Sequence, residues 1–222
     1  MKTNKELGTV WLNVSDGHRH LPRTRAVIKN EKYILESIAG CGIDTKDIGN
    51  VLDWGPGGGW LSRAIGAKNV NFVDIVPGYD DLVRKTQKGH IKNMKFHTLS
   101  GPEMPKIADK IDTVILYSVL YHMPSLEYVR RVIEYITSLE PKVILIRNYF
   151  TDAESWERTD KYDSTSYIRG NIYNRQEFIK LLPKYDVLYD KVVQNYGTSM
   201  NKRHNIREDI SSFSSVMCMV KK

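Results

Sequence analysis

Short apolar segments alternate with amphipathic segments along most of the chain. Runs rich in β-branched and aromatic residues predict buried strands, whereas apolar residues spaced three or four positions apart predict helices. Alternation of the two is typical of a parallel sheet with crossover helices. The predicted strands cover residues 51–54, 70–76, 94–99, 113–119, 143–146, 187–193 and 213–220.

Helical signals fall between these strands. The first helix is predicted over residues 25–39, another over 80–88 and a third after Pro124-Ser125, while the polar segment 149–173 has no periodicity. Together these elements predict a doubly wound α/β fold. Its sheet is expected to be mostly parallel and seven-stranded, with an antiparallel terminal strand pair and helices on both faces.

The composition is that of an ordinary globular protein. The chain has 222 residues, of which 41% are hydrophobic and 27% are charged, and these values exclude collagen-like, coiled-coil and wholly disordered proteins. This length suits a single domain over residues 1–222, in which residues 1–24 are expected to form an extension or a lid.

The sequence indicates neither a membrane protein nor an oxidising compartment. No apolar run approaches the roughly 18 residues that a membrane span needs, and the polar residues 1–6 do not look like a signal peptide. Cys41 and Cys218 form no CxxC pair, so neither a disulfide framework nor a structural zinc site is expected. We therefore expect a cytoplasmic protein.

The formal charge of +7 suits an anionic partner, and it equally suits an ordinary basic protein. The region 82–102 contains no acidic residue and could contact phosphates, so a nucleic acid is an alternative acceptor. A solvated helix flank away from the catalytic edge explains the same charges and is favoured. The basic residues concerned are Arg84, Lys85, Lys88, His90, Lys92 and Lys95.

The most informative stretch is the glycine-rich segment 53–59, which lies where a buried strand turns into a helix. Glycines at such a turn let the backbone bend sharply and approach a ligand closely. Asp74 ends the next predicted strand, and a carboxylate there can accept hydrogen bonds from the hydroxyls of an adenosine ribose. The two features together predict a cofactor that contains a nucleoside.

The spacing of the glycines argues against NAD. In a GxGxxG pattern the third glycine would fall on Trp60 or on Ser62. The chain has instead an acid followed by alternating glycines, Asp53, Gly55, Gly57 and Gly59. This pattern resembles motif I of the class I, Rossmann-like methyltransferases that use S-adenosylmethionine. The segments 111–116 and 119–123 and the closing strand pair are also similar to that family.

The resemblance implies roles for individual residues around S-adenosylmethionine. Gly55 and Gly57 would pass beside its methionine part, Asp53 would support the loop or the amino group, and Asp74 would hold the ribose. The turn Ser100-Gly101-Pro102 departs from the family, many members of which have an acidic residue there. The full set of cofactor-binding residues that the resemblance implies is Asp53, Gly55, Gly57, Gly59, Asp74, Ile75, Leu99, Ser100 and Tyr117.

The methyl acceptor is expected beyond the carboxyl ends of the fourth and fifth strands. His122 is the candidate general base, because histidine titrates near neutrality, and its alternative role is packing or capping. Tyr121, Arg147 and Tyr149 are the candidate substrate-binding residues, although Arg147 could instead pair with an acid in the segment 152–163. No metal is expected, because the metal-using O-methyltransferases place carboxylates where this chain has Tyr117-Ser118 and Arg147-Asn148.

The sequence therefore predicts a metal-independent methyltransferase that acts on a small molecule, most simply on a hydroxyl oxygen such as that of a sugar. The alternatives are a methyltransferase acting on RNA or DNA and a non-catalytic binding protein with the same fold. The oligomeric state stays open. Further acceptor contacts are expected from Tyr162, Tyr167, Arg169 and Tyr173.

Overall fold

A computed structural model describes residues 25–157, 171–197 and 211–222 of the chain. The predicted N-terminal lid over residues 1–24 lies outside these ranges, as do the proposed acceptor contacts Tyr162, Tyr167 and Arg169.

The described residues form helices and strands in the predicted alternation. The helices are α1 (Arg25–Gly40), α2 (Trp60–Ala64), α3 (Tyr79–Gln87), α4 (Leu126–Ser138) and α5 (Arg175–Lys180), with short 3-10 turns at Thr45–Asp47 and Leu120–His122. The strands are β1 (Asn50–Trp54), β2 (Asn69–Asp74), β3 (Asn93–Thr98), β4 (Thr113–Tyr117), β5 (Val143–Thr151), β6 (Trp156–Glu157), β7 (Asn171–Asn174), β8 (Tyr185–Gly197) and β9 (Ser212–Lys221).

The sheet has the doubly wound topology that the sequence predicts. Five parallel strands lie in the order β3-β2-β1-β4-β5. Strand β9 pairs antiparallel with β5, and β8 pairs antiparallel with β9. The strand order reverses between β1 and β4, so a crevice for a ligand is expected at the carboxyl ends of these two strands.

The number of strands differs from the prediction, because the described part of the sheet has nine strands rather than seven. The two extra strands, β6 and β7, are short; β6 lies within the segment 149–173 that was predicted to be irregular, and β7 overlaps its end. Strand β5 also runs on to Thr151 instead of ending at Ile146, since β9 supplies backbone partners as far as the pair Thr151–Ser212. Local hydrophobic pattern carries no information about such distant pairing.

The sheet buries both faces, which explains why its central strands are almost wholly apolar. Val114 and Leu116 of β4 pack in the cluster that includes α4 and α5. Ile115 between them faces the opposite cluster, where Ile34 and Ile38 of α1 cover the sheet together with α3. The period of two along β4 thus divides the core into two layers.

The two cysteines come together although 177 positions separate them in the chain. Cys41 follows α1, and its Sγ donates to the backbone carbonyl of Cys218 on β9 at 3.8 Å. Both thiols are free, and burial raises the pKa of each. The neutral thiol form is therefore favoured at both positions.

Within the described ranges, none of the helices combines the length and the apolar character needed to cross a bilayer.

Candidate cofactor and acceptor site

The glycine loop connects β1 to α2 and contains three left-handed residues, Gly55, Gly57 and Gly59. The Gly55 amide donates to the Val73 carbonyl of β2 (2.8 Å), and Gly55 and Gly57 have φ angles of 68° and 55°. A Cβ on Gly55 would lie 2.5 Å from Cγ2 of Val119, whereas a Cβ on Gly57 would meet no atom within 4 Å. Gly55 is therefore required by close packing, and Gly57 borders open space.

Helix α3 packs against the loop and donates hydrogen bonds to it. The Gly58 carbonyl accepts hydrogen bonds from Thr86 Oγ1 (2.8 Å) and from Gln87 Nε2 (2.6 Å). A Cβ on Gly59, which precedes α2, would meet Gln87 and Val83 at 3.1 and 3.2 Å. Helix α3 thus contacts the loop at two consecutive residues, Gly58 and Gly59.

Asp53 ties the two ends of the loop together. Its side chain is only 2% exposed, and Oδ2 accepts a hydrogen bond from Ser62 Oγ of α2 at 2.7 Å. Burial raises the pKa of this carboxyl to about 7, against the lowering effect of the Ser62 hydrogen bond, and the nearby charge of Asp74 adds to the increase. This contact is of the loop-supporting kind that the sequence suggested as one role for Asp53.

Asp74 ends β2 beside the loop and is half-buried. Its Oδ1 accepts hydrogen bonds from the amides of Ile75 (2.7 Å) and Val76 (3.1 Å), and no described residue donates to Oδ2. Burial raises the pKa of the carboxyl to about 6, although both amides lower it. The Leu99 amide donates to the Asp74 carbonyl (2.8 Å), which brings Asp74, Ile75 and Leu99 together.

The end of β4 contacts Arg147 of β5 beside a strained backbone. Ser118 follows β4 with a φ angle of 58°, a conformation that costs a non-glycine residue on the order of 1–3 kcal/mol. Its amide donates to the Arg147 carbonyl (2.8 Å), and its Oγ accepts from Arg147 Nη1 (3.1 Å). Nη1 also donates to Asn30 Oδ1 of α1 at 2.8 Å, so the guanidinium is held from two sides.

An aromatic cluster lies beside this contact. The ring of Tyr121 packs edge-on against that of Tyr149, with centroids 4.4 Å apart, and lies 4.0 Å from the His122 ring. The Tyr149 and Tyr196 hydroxyl oxygens are 3.2 Å apart, and the Tyr196 hydroxyl oxygen lies 2.9 Å from Gln194 Oε1. Because one hydroxyl carries only one proton, Tyr196 can donate to Gln194 or to Tyr149 but not to both at once.

His122 connects the aromatic cluster to the glycine loop. It ends the 3-10 turn Leu120–His122, whose backbone is closed by a hydrogen bond from the His122 amide to the Val119 carbonyl (3.0 Å). Val119 is the residue that packs against Gly55. The half-buried His122 therefore lies a single turn along the chain from the residue that packs on the loop, and its ring contacts Tyr121.

Three residues that the sequence predicts to contact the cofactor or the acceptor lie apart from the glycine loop and the aromatic cluster. Tyr117, a predicted cofactor contact, packs in the core on the α1 side of the sheet, and burial raises the pKa of its phenol. Tyr173 is also in the core and donates to the Leu126 carbonyl (2.7 Å). Ser100 is exposed at the turn after β3.

Sequence reasoning missed Asn30 and Tyr196. Asn30 contacts Arg147 across 117 positions, and nothing near it in sequence signals this contact. Tyr196 lies at the end of β8 beyond the predicted strand 187–193. Extending that strand by its period of two would not have found the residue, because the β8–β9 register shifts between Val192 and Gln194 and again at Tyr196 itself.

The described residues include no group of three or more His, Cys, Asp or Glu side chains placed to hold a metal ion.

Two residues of the basic segment after Asp74 already contact other side chains. Arg84 lies over the Phe96 ring at 4.3 Å, and Lys95 Nζ lies 2.7 Å from Asp109 Oδ1.

An open sheet that reverses its strand order beside a glycine loop, with an acid at the end of β2, defines a Rossmann-like enzyme that binds a nucleoside cofactor. A family model described as a methyltransferase domain matches residues 23–187, which is more than half of the chain. The chain therefore belongs to this methyltransferase family, whose cofactor is S-adenosylmethionine. The resemblance seen in the sequence is confirmed.

Solved structures share the fold at low sequence identity. Magnesium protoporphyrin IX methyltransferase from Synechocystis PCC 6803 with bound SAM has 16% identity and a TM-score of 0.63, with 100% of this chain and 99% of that chain covered. Coclaurine N-methyltransferase bound to N-methylheliamine and SAH has 12% identity and a TM-score of 0.61, covering 90% and 74%. The cyclase SpnF has 11% identity and a TM-score of 0.63, covering 99% and 97%.

These structures differ in the reactions that their names state, so the shared fold does not define the acceptor. No curated protein matches the sequence at a significant level.

Proposed function

We propose that this enzyme transfers the methyl group of S-adenosylmethionine to a hydroxyl oxygen of a small molecule without using a metal ion. The observation that carries the proposal is the position of His122, one turn along the chain from the residue that packs on the glycine loop and in contact with the tyrosine cluster.

The loop region fits the cofactor. Open space beside Gly57 leaves room for a ligand against the backbone, and Oδ2 of Asp74 is free to accept from ribose hydroxyls. Ile75 and Leu99 offer apolar surface next to Asp74 for a base, with Ser100 at its edge. When bound, S-adenosylmethionine supplies an electrophilic methyl group on a positively charged sulfur. After transfer, that sulfur is part of the neutral thioether S-adenosylhomocysteine.

Proton removal falls to His122. As the acceptor oxygen forms its bond to the methyl carbon and the carbon–sulfur bond breaks, a ring nitrogen of His122 takes the hydroxyl proton. A positioned base of this kind contributes about 10²–10⁴-fold to a rate. Alignment of the two reactants contributes several kcal/mol more.

Tyr121 and Tyr149 form the aromatic wall of the acceptor pocket, with Arg147 at its polar side. Ser118, which follows β4, and Arg147, which pairs with the last residue of β4 in the sheet, carry no carboxylate, so this donor set does not suit a divalent cation. The enzyme is proposed to act in the cytoplasm, where its two free thiols would remain reduced.

His122→Ala is expected to lower kcat by about 10²–10⁴-fold while the affinity for S-adenosylhomocysteine stays unchanged. The measurement is acceptor-dependent release of S-adenosylhomocysteine over a panel of small hydroxyl compounds. His90→Ala is the matched control, because His90 is exposed after α3.

Turnover at the wild-type rate by His122→Ala would show that His122 is not the general base. Tight binding of S-adenosylhomocysteine with no turnover of any small hydroxyl compound would contradict the proposal. Methylation of oligonucleotides in that case, with binding that weakens as salt rises, would identify a nucleic acid as the acceptor.

A further inference from the structure

Among the described residues, only neutral groups contact the positive charge of Arg147. Its Nη1 donates to Asn30 Oδ1 and Ser118 Oγ, and its Nε is buried without a hydrogen-bond partner. Across residues 25–157, 171–197 and 211–222, no carboxylate forms an ion pair with this guanidinium. A partly buried charge is costly unless an opposite charge compensates it, so this guanidinium favours the binding of an anion.

The acids nearest in sequence are engaged elsewhere or exposed. Oε2 of Glu157 accepts from the Leu126 amide at 2.7 Å, and Asp152 and Glu154 are exposed. The described part of the segment 152–163 therefore does not supply the partner that the sequence offered as an alternative for Arg147.

A second unsatisfied polar group lies on the same face of the sheet. Ser214 of β9 is 1% exposed, and its Oγ has no hydrogen-bond partner. Ser214 lies directly opposite Tyr149 in the β5–β9 register, and Tyr149 is two residues beyond Arg147. Because alternate residues of a strand share a face, all three side chains lie on the α1 side of the sheet.

The guanidinium also has a fixed direction. Asn30 comes from α1 and Ser118 from the end of β4, so two separate elements orient it at the carboxyl edge of the sheet. The strained backbone of Ser118 is part of this arrangement. An oriented arginine is suited to planar oxyanions, which it can bind through two parallel hydrogen bonds.

We propose that the methyl acceptor carries an anionic group, a carboxylate or a phosphate, and that Arg147 binds this group beside the Tyr121–Tyr149 wall. That the bound anion belongs to a methyl acceptor rests on the proposed function. The existence of an anion site at Arg147 does not depend on methyl transfer. The acceptor class becomes hydroxy acids and phosphorylated alcohols rather than neutral sugars.

The test uses the side-chain Nε–H signal of Arg147 in nitrogen-15 correlation spectra, assigned by its loss in Arg147→Gln. Inorganic phosphate and formate are added to the full-length protein, with sodium chloride at equal ionic strength as the reference. We expect a saturable shift of this signal with both anions and none with chloride. By backbone signals, the affinity for phosphate should fall about tenfold or more in Arg147→Gln. It should stay within about twofold in Arg130→Gln, which removes an exposed charge on α4.

The carboxylate of the cofactor is the competing source of an anion, and two nucleosides distinguish it from the acceptor. S-adenosylhomocysteine carries that carboxylate and 5′-methylthioadenosine lacks it. We expect Arg147→Gln to leave the affinity for both unchanged, and phosphate to bind the complex with S-adenosylhomocysteine. Loss of S-adenosylhomocysteine affinity alone in Arg147→Gln would overturn the assignment to the acceptor.

If the Arg147 signal does not shift with phosphate or formate, the proposal of an anion site is wrong. The same result is expected if an acidic side chain of the protein itself pairs with Arg147, and it overturns the proposal in that case too. These results are independent of turnover. An enzyme that binds phosphate at Arg147 and methylates no hydroxyl compound would contradict the proposed function and leave the anion site established.

Discussion

Gly57→Ala is expected to weaken the binding of S-adenosylhomocysteine by about 10- to 100-fold. The added methyl group meets no protein atom within 4 Å, so any steric effect on binding comes from the ligand that occupies this open space. Overpacking a filled site costs about 1–3 kcal/mol, and 1.4 kcal/mol corresponds to tenfold in affinity. Titration calorimetry of the two proteins measures the difference.

Gly66→Ala provides a matched control for the backbone. Gly66 has a φ angle of 75° and also lies in open space, so alanine at either position suffers the same left-handed strain of about 1–2 kcal/mol. Both variants should lose similar stability in urea, and only Gly57→Ala should lose affinity for the nucleoside. Equal affinity in the two variants would mean that the cofactor does not approach Gly57.

Raising the pH from about 4 to about 7 is expected to destabilise the protein through Asp53. The pKa of this carboxyl is 3.8 ordinarily and about 7 in the fold, because burial disfavours its charged form. Between these values the folded state binds the extra proton, so the contribution of Asp53 to stability falls as pH rises. The shift corresponds to about 4 kcal/mol over the whole interval.

Asp53→Asn separates this effect from that of the other carboxylates. Several of those have a lowered pKa, so their contribution to the stability of the protein is lost in acid. The amide oxygen can still accept from Ser62 Oγ, and it carries no charge. In urea unfolding, the variant should gain stability relative to the wild type as pH rises from 5 to 8. A difference in unfolding free energy that stays constant over this range would contradict the burial of an ionisable carboxyl at this position.

The fold could be predicted because its central strands have simple local patterns. The segment 113–119 is apolar on both faces, as a strand covered by helices on two sides must be, and the glycine loop follows a strand directly. The end of that segment was less predictable, since β4 stops at Tyr117 where Ser118 adopts its left-handed conformation.

The candidate site was predictable only where a short motif carries it. Asp53 and Gly57 lie in such a motif, Asp74 ends the next strand, and the three come together around one loop. The acceptor side depends on distant contacts, such as that between Asn30 and Arg147, and on long antiparallel pairing that brings Tyr196 to Tyr149. A single sequence contains no periodic signal for contacts of this kind.

We propose that the glycine loop and Asp74 bind S-adenosylmethionine. The most direct test is calorimetric titration of S-adenosylmethionine, S-adenosylhomocysteine and NAD into the wild type, Asp74→Ala and the control Asp47→Ala, which removes an exposed carboxylate from a 3-10 turn. We expect binding of the first two ligands and none of NAD. Asp74→Ala should weaken binding by about 10- to 150-fold, since hydrogen bonds to a charged group contribute about 1.5–3 kcal/mol, and Asp47→Ala should not. Equal affinity in wild type and Asp74→Ala, or no binding of either adenosyl ligand, would contradict the account.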